Sequence, residues 1–174
     1  MELLKIMQAR RSVRNYTGEA IPEEKLDRIL KAGLLSPSGR NIRPWEFVLV
    51  RDKELLKKLA ACRPGGSGIL AGADAAIVVL GDPEATDVWT EDCSIAMAQM
   101  HLMADCQGVG SCWVQGRLRP SPDGGMAEEV VKNLLQVPEK YALEAILCLG
   151  MPETHPEPHT LEELPMEKIH RERF

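Results

Sequence analysis

The segment from Glu91 to Gln107 constrains the fold of this chain more than any other stretch. Apolar or small residues lie nearly all round the helix that it predicts: Ile95, Ala96, Met97, Ala98, Met100, Leu102, Met103, Ala104 and Cys106. A helix without a wide polar face has to be covered on most sides, either in a domain core or in a subunit interface. The residues by themselves favour the domain core. Within this helix, His101 is predicted to be a hydrogen-bonded packing residue, since no second ligand lies at metal spacing.

The other elements follow from hydrophobic periodicity. Strands are predicted over 47–50, 75–80, 111–114 and 145–150, of which 75–80 is apolar throughout, as in a strand buried on both faces. Helices are predicted over 1–9, 22–35, 53–61 and 126–136. The chain has 174 residues, which is most simply one domain with a real core. From Pro152 onward it is rich in proline and polar residues, and this composition predicts an extended arm.

Composition excludes several classes of function. The formal net charge is −5, which disfavours nucleic acid and anionic membranes as partners, and aromatic residues at 4% are too few for base-stacking platforms. The longest apolar run is too short to span a bilayer. The five cysteines include no C-x-x-C pair, which predicts reduced thiols in a cytoplasmic protein without structural zinc.

A basic cluster follows the first predicted helix. Arg10-Arg11-Ser12-Val13-Arg14 places three guanidiniums and a hydroxyl within five residues. Each guanidinium is a planar fork that matches phosphate oxygens, so the cluster suits an anion site. The alternative is a solvated basic cluster that complements the dipole at the end of a helix. The pentapeptide alone leaves both interpretations open.

A second polar stretch runs from Ser36 to Pro44. It holds hydroxyls, a carboxamide and two guanidiniums on a proline-stiffened turn that enters a strand, an arrangement that can fix polar groups in place. Without further context it would more often be a simple helix-to-strand connection.

Four motifs, taken in order, give the chain a specific resemblance. They are Arg10-Arg11-Ser12-x-Arg14, Pro37-Ser38-x-x-Asn41 with Pro44-Trp45, the stretch from Gly108 to Gly116, and the stretch from Ile146 to Pro152. This ordered set resembles the FMN-dependent nitroreductase family and covers nearly the whole chain.

The resemblance implies a three-layer α+β fold with a central mixed sheet of four or five strands flanked by helices. It further implies one domain over residues 1–174 and an intertwined homodimer with two composite FMN sites. The long helix would then pack in the dimer interface, and residues 152–174 would form an arm that packs on the partner subunit.

The resemblance also assigns cofactor-binding residues. Arg10 and Arg11 belong to the phosphate cluster, with Arg10 on the phosphate, and Ser12 and Arg14 meet the ribityl chain and the O2 edge. The isoalloxazine ring is met by three residues of the partner subunit, Pro37, Ser38 and Asn41, and by Val114, Gln115 and Gly116 along N5 and O4.

The implied activity is hydride transfer from NADH or NADPH through FMN to a nitro, quinone or similar small acceptor, by a ping-pong mechanism. No side-chain acid, base or nucleophile is required for this, because the flavin carries the chemistry. Several relatives have Lys or Arg just before the Leu-Pro of the arm, where this chain reads Glu162-Glu163. The phosphate would then rest chiefly on Arg10, with Arg14, Arg43, His159 or Lys168 as further candidates. This departure keeps open an FMN-binding protein without significant turnover, for flavin sensing or storage.

Overall fold

The computed structural model describes residues 3–174 and arranges them as an α+β domain. The helices are α1 (Leu3–Ala9), α2 (Glu23–Leu34), α3 (Lys53–Ala60), α4 (Trp89–Cys106) and α5 (Ala127–Leu135). The strands are β1 (Trp45–Val50), β2 (Ala75–Gly81), β3 (Gly110–Gln115) and β4 (Ala142–Gly150). Each of these elements was predicted, with boundaries shifted by up to three residues. The predicted first helix included Met1 and Glu2, which lie outside the described residues.

The sheet has four strands in the order β1-β2-β4-β3, and every neighbouring pair is antiparallel. The α+β class is therefore confirmed, but the expectation of a mixed sheet is wrong for these four strands. Val50 at the end of β1 pairs with Ala76 near the start of β2, so the connection between them returns the chain to the same end of the sheet. Within residues 3–174, parallel pairing of the backbone occurs at one isolated β-bridge, between Ser12 and Ser111.

Helices cover both faces of the sheet and make three layers. On one face, α2 and α4 pack against alternate strand residues such as Ile77 and Leu147. On the other face, α3 and α5 pack against the intervening residues, such as Val78 and Ile146. Because β2 is buried on both sides, its apolar residues run without alternation, as the sequence indicated.

Helix α4 is covered on one side and open on the other. Met97, Met100 and Ala104 are fully buried in the core, whereas Ile95 is 41% exposed. Its open side and α1 line an apolar groove of about 310 Å³ formed by Leu3, Ile6, Met7, Ala32, Gln99, Leu102, Met103 and Cys106. The core thus accounts for only part of the apolar surface of α4. Across residues 3–174, the helices all fall short of the length and apolarity that a membrane span needs.

Residues 152–174 are extended and contain one short 3-10 turn, Met166–Lys168. The first part lies on its own chain, where Pro152 bridges to Tyr16 and the His159 N–H donates to the Gln8 carbonyl oxygen at 3.0 Å. From Thr160 onward every residue is exposed. The exposed side chains there include Leu161, Leu164, Met166, Ile169 and Phe174.

Candidate functional site

The arginine cluster is fixed to the edge of the sheet. Ser12 forms a parallel bridge with Ser111, and the Val13 N–H donates to the Ser111 carbonyl oxygen at 2.9 Å. Val13 is buried, and a Cβ on Gly110 would lie 2.8 Å from its Cγ1. The residue at 110 therefore has to be glycine for the segment to sit this close to β3. The bridge holds Arg10, Ser12 and Arg14 beside the start of that strand.

Arg10 contacts a buried histidine. Its Nη1 lies 3.2 Å from Nε2 of His101, whose Nδ1 is hydrogen-bonded to Ser111 Oγ. Burial, together with the nearby Arg10 charge, lowers the pKa of His101 to about 4. At neutral pH the imidazole is therefore uncharged and leaves the positive charge of Arg10 uncompensated.

The arginines of the cluster form no ion pair with a carboxylate among residues 3–174. The acidic group nearest in effect is Glu163 of the arm, whose pKa is lowered by hydrogen bonds from Thr160 and also by the Arg11 charge. Arg11 donates to the backbone carbonyl of Glu157. Arg14 is exposed and lies near the thiol of Cys112, whose pKa burial raises and the Arg14 charge lowers. Because Arg10 is half-buried rather than solvated, the geometry favours the anion site over the solvated helix end.

The other end of β3 holds Gln115 and Gly116. Gln115 Oε1 accepts from Trp113 Nε1 at 2.8 Å, and the Gln115 carbonyl oxygen accepts from Arg63 Nη1 at 2.7 Å. The Gly116 N–H has only a long contact of 3.4 Å to the Glu144 carbonyl, which also accepts from Arg117 at 2.9 Å. A donor at Gly116 is therefore only weakly satisfied. A Cβ at Gly116 would collide with Leu143, which gives this glycine a packing reason of its own. The side chain of the preceding Val114 is buried in the core and can contribute to a site only through its backbone.

The loop at 36–44 is tightly held. The Gly39 N–H donates to Asp92 Oδ1 at 2.8 Å, Ser38 Oγ accepts from Arg43 N, and Asn41 Oδ1 accepts from Arg43 Nε, the last two at 2.9 Å. Arg40, Asn41 and Arg43 have φ of 52°, 58° and 55°, in the left-handed region that non-glycine residues seldom adopt. Pro37 and Asn41 are exposed. The loop presents a fixed surface rather than a flexible connection.

The predicted site residues do not all meet within one chain. The loop at 36–44 contacts α4 at Asp92, whereas Arg10 contacts the same helix at His101, nine residues later and about 14 Å along the axis. Arg10 and Ser12 are brought to the start of β3, while Gln115 and Gly116 lie at its end. Pro37, Ser38 and Asn41 thus stand apart from the arginine cluster of their own chain.

Sequence reasoning missed several polar residues of this region. Asp92 and Glu144 are buried, and Oδ2 of the first and Oε2 of the second have no hydrogen-bond partner within residues 3–174. Burial raises the pKa of Glu144, while Ser94 Oγ donates to its Oε1 at 3.3 Å. A glutamate inside the otherwise apolar strand β4 was a visible signal. The contacts of His101 were not visible, because Arg10 lies 91 residues away.

A three-layer domain that fixes a cluster of arginines at its sheet edge, without an ion-pair partner among the described residues, has the features of a protein that binds a phosphate-bearing ligand. Comparison with known proteins identifies the group more closely. The chain belongs to the Nitroreductase family, whose sequence model matches residues 7–63 and 61–151.

Individual relatives agree with this assignment. An FMN-dependent nitroreductase from Clostridium difficile is 41% identical with a TM-score of 0.95, covering 98% of this chain and 99% of that one. A protein of Archaeoglobus fulgidus, provisionally named an NADH dehydrogenase/NAD(P)H nitroreductase, is 35% identical over 178 residues, covering 99% of both chains. A Desulfovibrio desulfuricans nitroreductase-like protein, solved in complex with FMN, is 28% identical with a TM-score of 0.79, covering 100% of this chain and 98% of that one. The family and the α+β fold class predicted from the motifs are confirmed.

Proposed function

We propose that this protein is an FMN-dependent oxidoreductase that takes hydride from NADH or NADPH and delivers it to a nitro compound, a quinone or a similar small acceptor. The observation that carries the proposal is the cluster of Arg10, Arg11 and Arg14, which has no carboxylate partner in the described chain and is anchored to β3. The names of the relatives agree, since one is an FMN-dependent nitroreductase and another was solved with FMN.

The donor set of the cluster fits the phosphate end of FMN. Phosphate oxygens only accept hydrogen bonds, and Arg10 and Arg14 only donate them. The Ser12 hydroxyl adds a group that can donate to or accept from a ribityl hydroxyl. Arg11 already donates an N–H to the Glu157 carbonyl oxygen, so its contribution to the anion site is mainly its positive charge. We therefore place the phosphate at Arg10 and the ribityl chain beside Ser12 and Arg14.

The far end of β3 suits the ring. The chemistry that FMN supplies when bound is acceptance of hydride from the nicotinamide and its delivery to the second substrate, in a ping-pong sequence. The backbone of Val114, Gln115 and Gly116 would lie along N5 and O4. The N–H of Gly116, weakly bonded to Glu144, is a fixed dipole that can stabilise negative charge without reorganising.

The complete site would require two chains. The loop at 36–44 lies away from the arginine cluster of its own chain, so Pro37, Ser38 and Asn41 of the partner subunit would complete the ring site. The apolar groove between α1 and α4 offers surface for such a homodimer. After Thr160 the arm runs past α1 and keeps apolar side chains exposed, and these would pack on the partner. Residues 1–174 would then form one domain with residues 152–174 as the arm. The free cysteines support a cytoplasmic location.

The first experiment is spectroscopic. We expect the purified protein to show the visible bands of oxidised flavin at about one FMN per chain. Without oxygen, NADH or NADPH should bleach these bands, and a quinone or nitro compound should restore them. Parallel double-reciprocal plots would establish the ping-pong order.

A second candidate is a flavin-binding protein without turnover. It is favoured by the acidic Glu162-Glu163 in the arm, at a place where the family resemblance implies a basic residue for the FMN phosphate. Bound flavin that neither NADH nor NADPH reduces would support this candidate over the enzyme. A colourless protein that leaves the spectrum of added FMN unshifted would exclude both.

A further inference from the structure

His101 is a buried polar residue in the middle of α4 for which the proposed chemistry has no use. It is 7% exposed and lies between Arg10, 91 residues earlier, and Ser111, ten residues later. Its Nε2 is 3.2 Å from Arg10 Nη1, and its Nδ1 is hydrogen-bonded to Ser111 Oγ. Ser111 is also the residue whose bridge to Ser12 fixes the arginine segment. The three side chains form one connected chain of hydrogen bonds.

The direction of these hydrogen bonds follows from their chemistry. A guanidinium can only donate, so Nε2 of His101 has to be the acceptor of the Arg10 N–H. The proton of the neutral ring is then on Nδ1, which donates to Ser111 Oγ. A protonated imidazole would face the guanidinium with a second donor and a second positive charge. The arrangement therefore requires neutral histidine in the Nδ1–H tautomer.

A neutral acceptor holds Arg10 in place without compensating its charge. Arg51 shows the contrast, because its guanidinium is bound by the carboxylates of Asp74 and Glu23. Arg10 gives one N–H to His101 and keeps its other donors and its full charge for an anion. A long side chain that is already ordered loses less conformational entropy when a ligand binds.

We propose that His101, held by Ser111, is the positioning residue that orients the Arg10 guanidinium for the flavin phosphate. The inference rests on the proposed function, because that function supplies the phosphate. It goes beyond it by assigning a role to a side chain of the buried helix, outside the basic cluster itself.

The test compares FMN with riboflavin, which lacks the phosphate. The variants are His101→Leu, which removes the acceptor, and His101→Gln, whose amide oxygen can replace it. Dissociation constants are measured by quenching of flavin fluorescence on apoprotein. We expect His101→Leu to raise the dissociation constant of FMN about tenfold, which corresponds to the loss of one hydrogen bond to a charged group. The dissociation constant of riboflavin should be unchanged. His101→Gln should recover most of the FMN affinity.

Met97→Leu is the matched control, because Met97 is fully buried on α4 and belongs to the core cluster against the sheet. It should change neither dissociation constant. An unchanged ratio of FMN to riboflavin affinity in folded His101→Leu would overturn the proposal. If that variant does not fold, Ser111→Ala takes its place, because it removes the hydrogen bond that holds the His101 ring but keeps the histidine. The ratio of FMN to riboflavin affinity is then compared in the same way.

A measurement without flavin separates the inference from the function on which it rests. In the apoprotein, nitrogen NMR should show the Nδ1–H tautomer of His101 and slow exchange of the Arg10 guanidinium protons. In His101→Leu that exchange should be fast. Failure of the wild type to bind either flavin would overturn the proposed function, whereas equal exchange in the wild type and the variant would overturn the positioning role itself.

Discussion

Oδ1 of Asp92 accepts the backbone N–H of Gly39 at 2.8 Å and so ties the loop at 36–44 to the first turn of α4. Asp92 is buried, and its Oδ2 has no hydrogen-bond partner within the described part of the chain. The loop also holds Arg40, Asn41 and Arg43 at positive φ, a conformation that persists only when the surroundings impose it. The contact between Asp92 and Gly39 is thus one of the links that position this loop, together with the hydrogen bond from the Asp82 N–H to the Pro44 carbonyl oxygen.

Replacement of Asp92 should show the strength of this link. Asp92→Ala leaves the Gly39 N–H without its acceptor and should lower the free energy of unfolding by about 1–3 kcal/mol. Asp92→Asn keeps an acceptor oxygen and is expected to cost clearly less. Both variants also lose the carboxylate charge near the start of the helix. The difference between their free energies of unfolding therefore reports the hydrogen bond alone. Urea unfolding measures it, and equal losses in the two variants would contradict this account.

The lowered pKa of His101 predicts how stability depends on pH. The pKa is about 4 in the folded chain against an ordinary value of 6.5, so between these values the unfolded chain binds more protons. The free energy of unfolding should therefore fall as the pH drops from 6.5 to 4, by about 3 kcal/mol at most from this group. His101→Leu and His101→Gln cannot take up this proton, so their unfolding curves should depend less on pH. A wild-type slope preserved in both variants would assign the effect to other groups.

The positions of the helices and strands could be predicted because each depends on local periodicity. The unbroken apolar run of β2 and the apolar surface of α4 are both readable from the sequence, and both elements lie where they were expected. The strand pairing was less accessible. The pairing of β1 with β2 is antiparallel because residues 51–74 return the chain to the end of the sheet where β1 stops. That return depends on how α3 packs, which no short sequence pattern encodes.

The site was predictable in its residues but not in its contacts. The Arg10 to Arg14 cluster is visible as a motif, whereas its contact with His101 joins residues 91 positions apart. The left-handed conformations of Arg40 and Arg43 were not expected either, because the usual sequence signal for positive φ is glycine. Hydrogen bonds from Arg43 to Ser38 and Asn41 supply the missing constraint.

His155 should attach the arm in a pH-dependent way. Its Nε2 lies 2.7 Å from Asp105 Oδ1 and its Nδ1 lies 2.8 Å from the Pro156 carbonyl oxygen, so both nitrogens donate and the ring is protonated. The hydrogen bond to Asp105 raises the pKa of His155. The stabilisation is present in full below the ordinary pKa of 6.5 and is lost as the pH rises through the raised value.

NMR of the arm tests this behaviour. The amide signals of Glu153 and Glu157, which are hydrogen-bonded to the body of the chain through Asn15 and Arg11, should shift together as the pH rises above 6.5. In His155→Gln the same signals should stay constant over that range. Asp105→Asn is the complementary control, and it should lower the midpoint of the transition. Equal titration of these amides in His155→Gln would show that another group controls the arm.

The position of the arginine segment should depend on the absence of a side chain at Gly110. A Cβ there would lie 2.8 Å from Val13 Cγ1 and 3.2 Å from the Gly150 carbonyl oxygen, and neither the buried valine nor the paired strand has room to move. Gly110→Ala should therefore destabilise the fold by about 1–3 kcal/mol through overpacking. It should also weaken FMN binding, because displacement of Val13 disrupts the neighbouring bridge between Ser12 and Ser111. Gly68→Ala is the matched control, since a Cβ at that position meets nothing within 4 Å. Thermal unfolding and FMN titration of both variants decide the point: equal behaviour of the two would mean that the segment is not held by this contact.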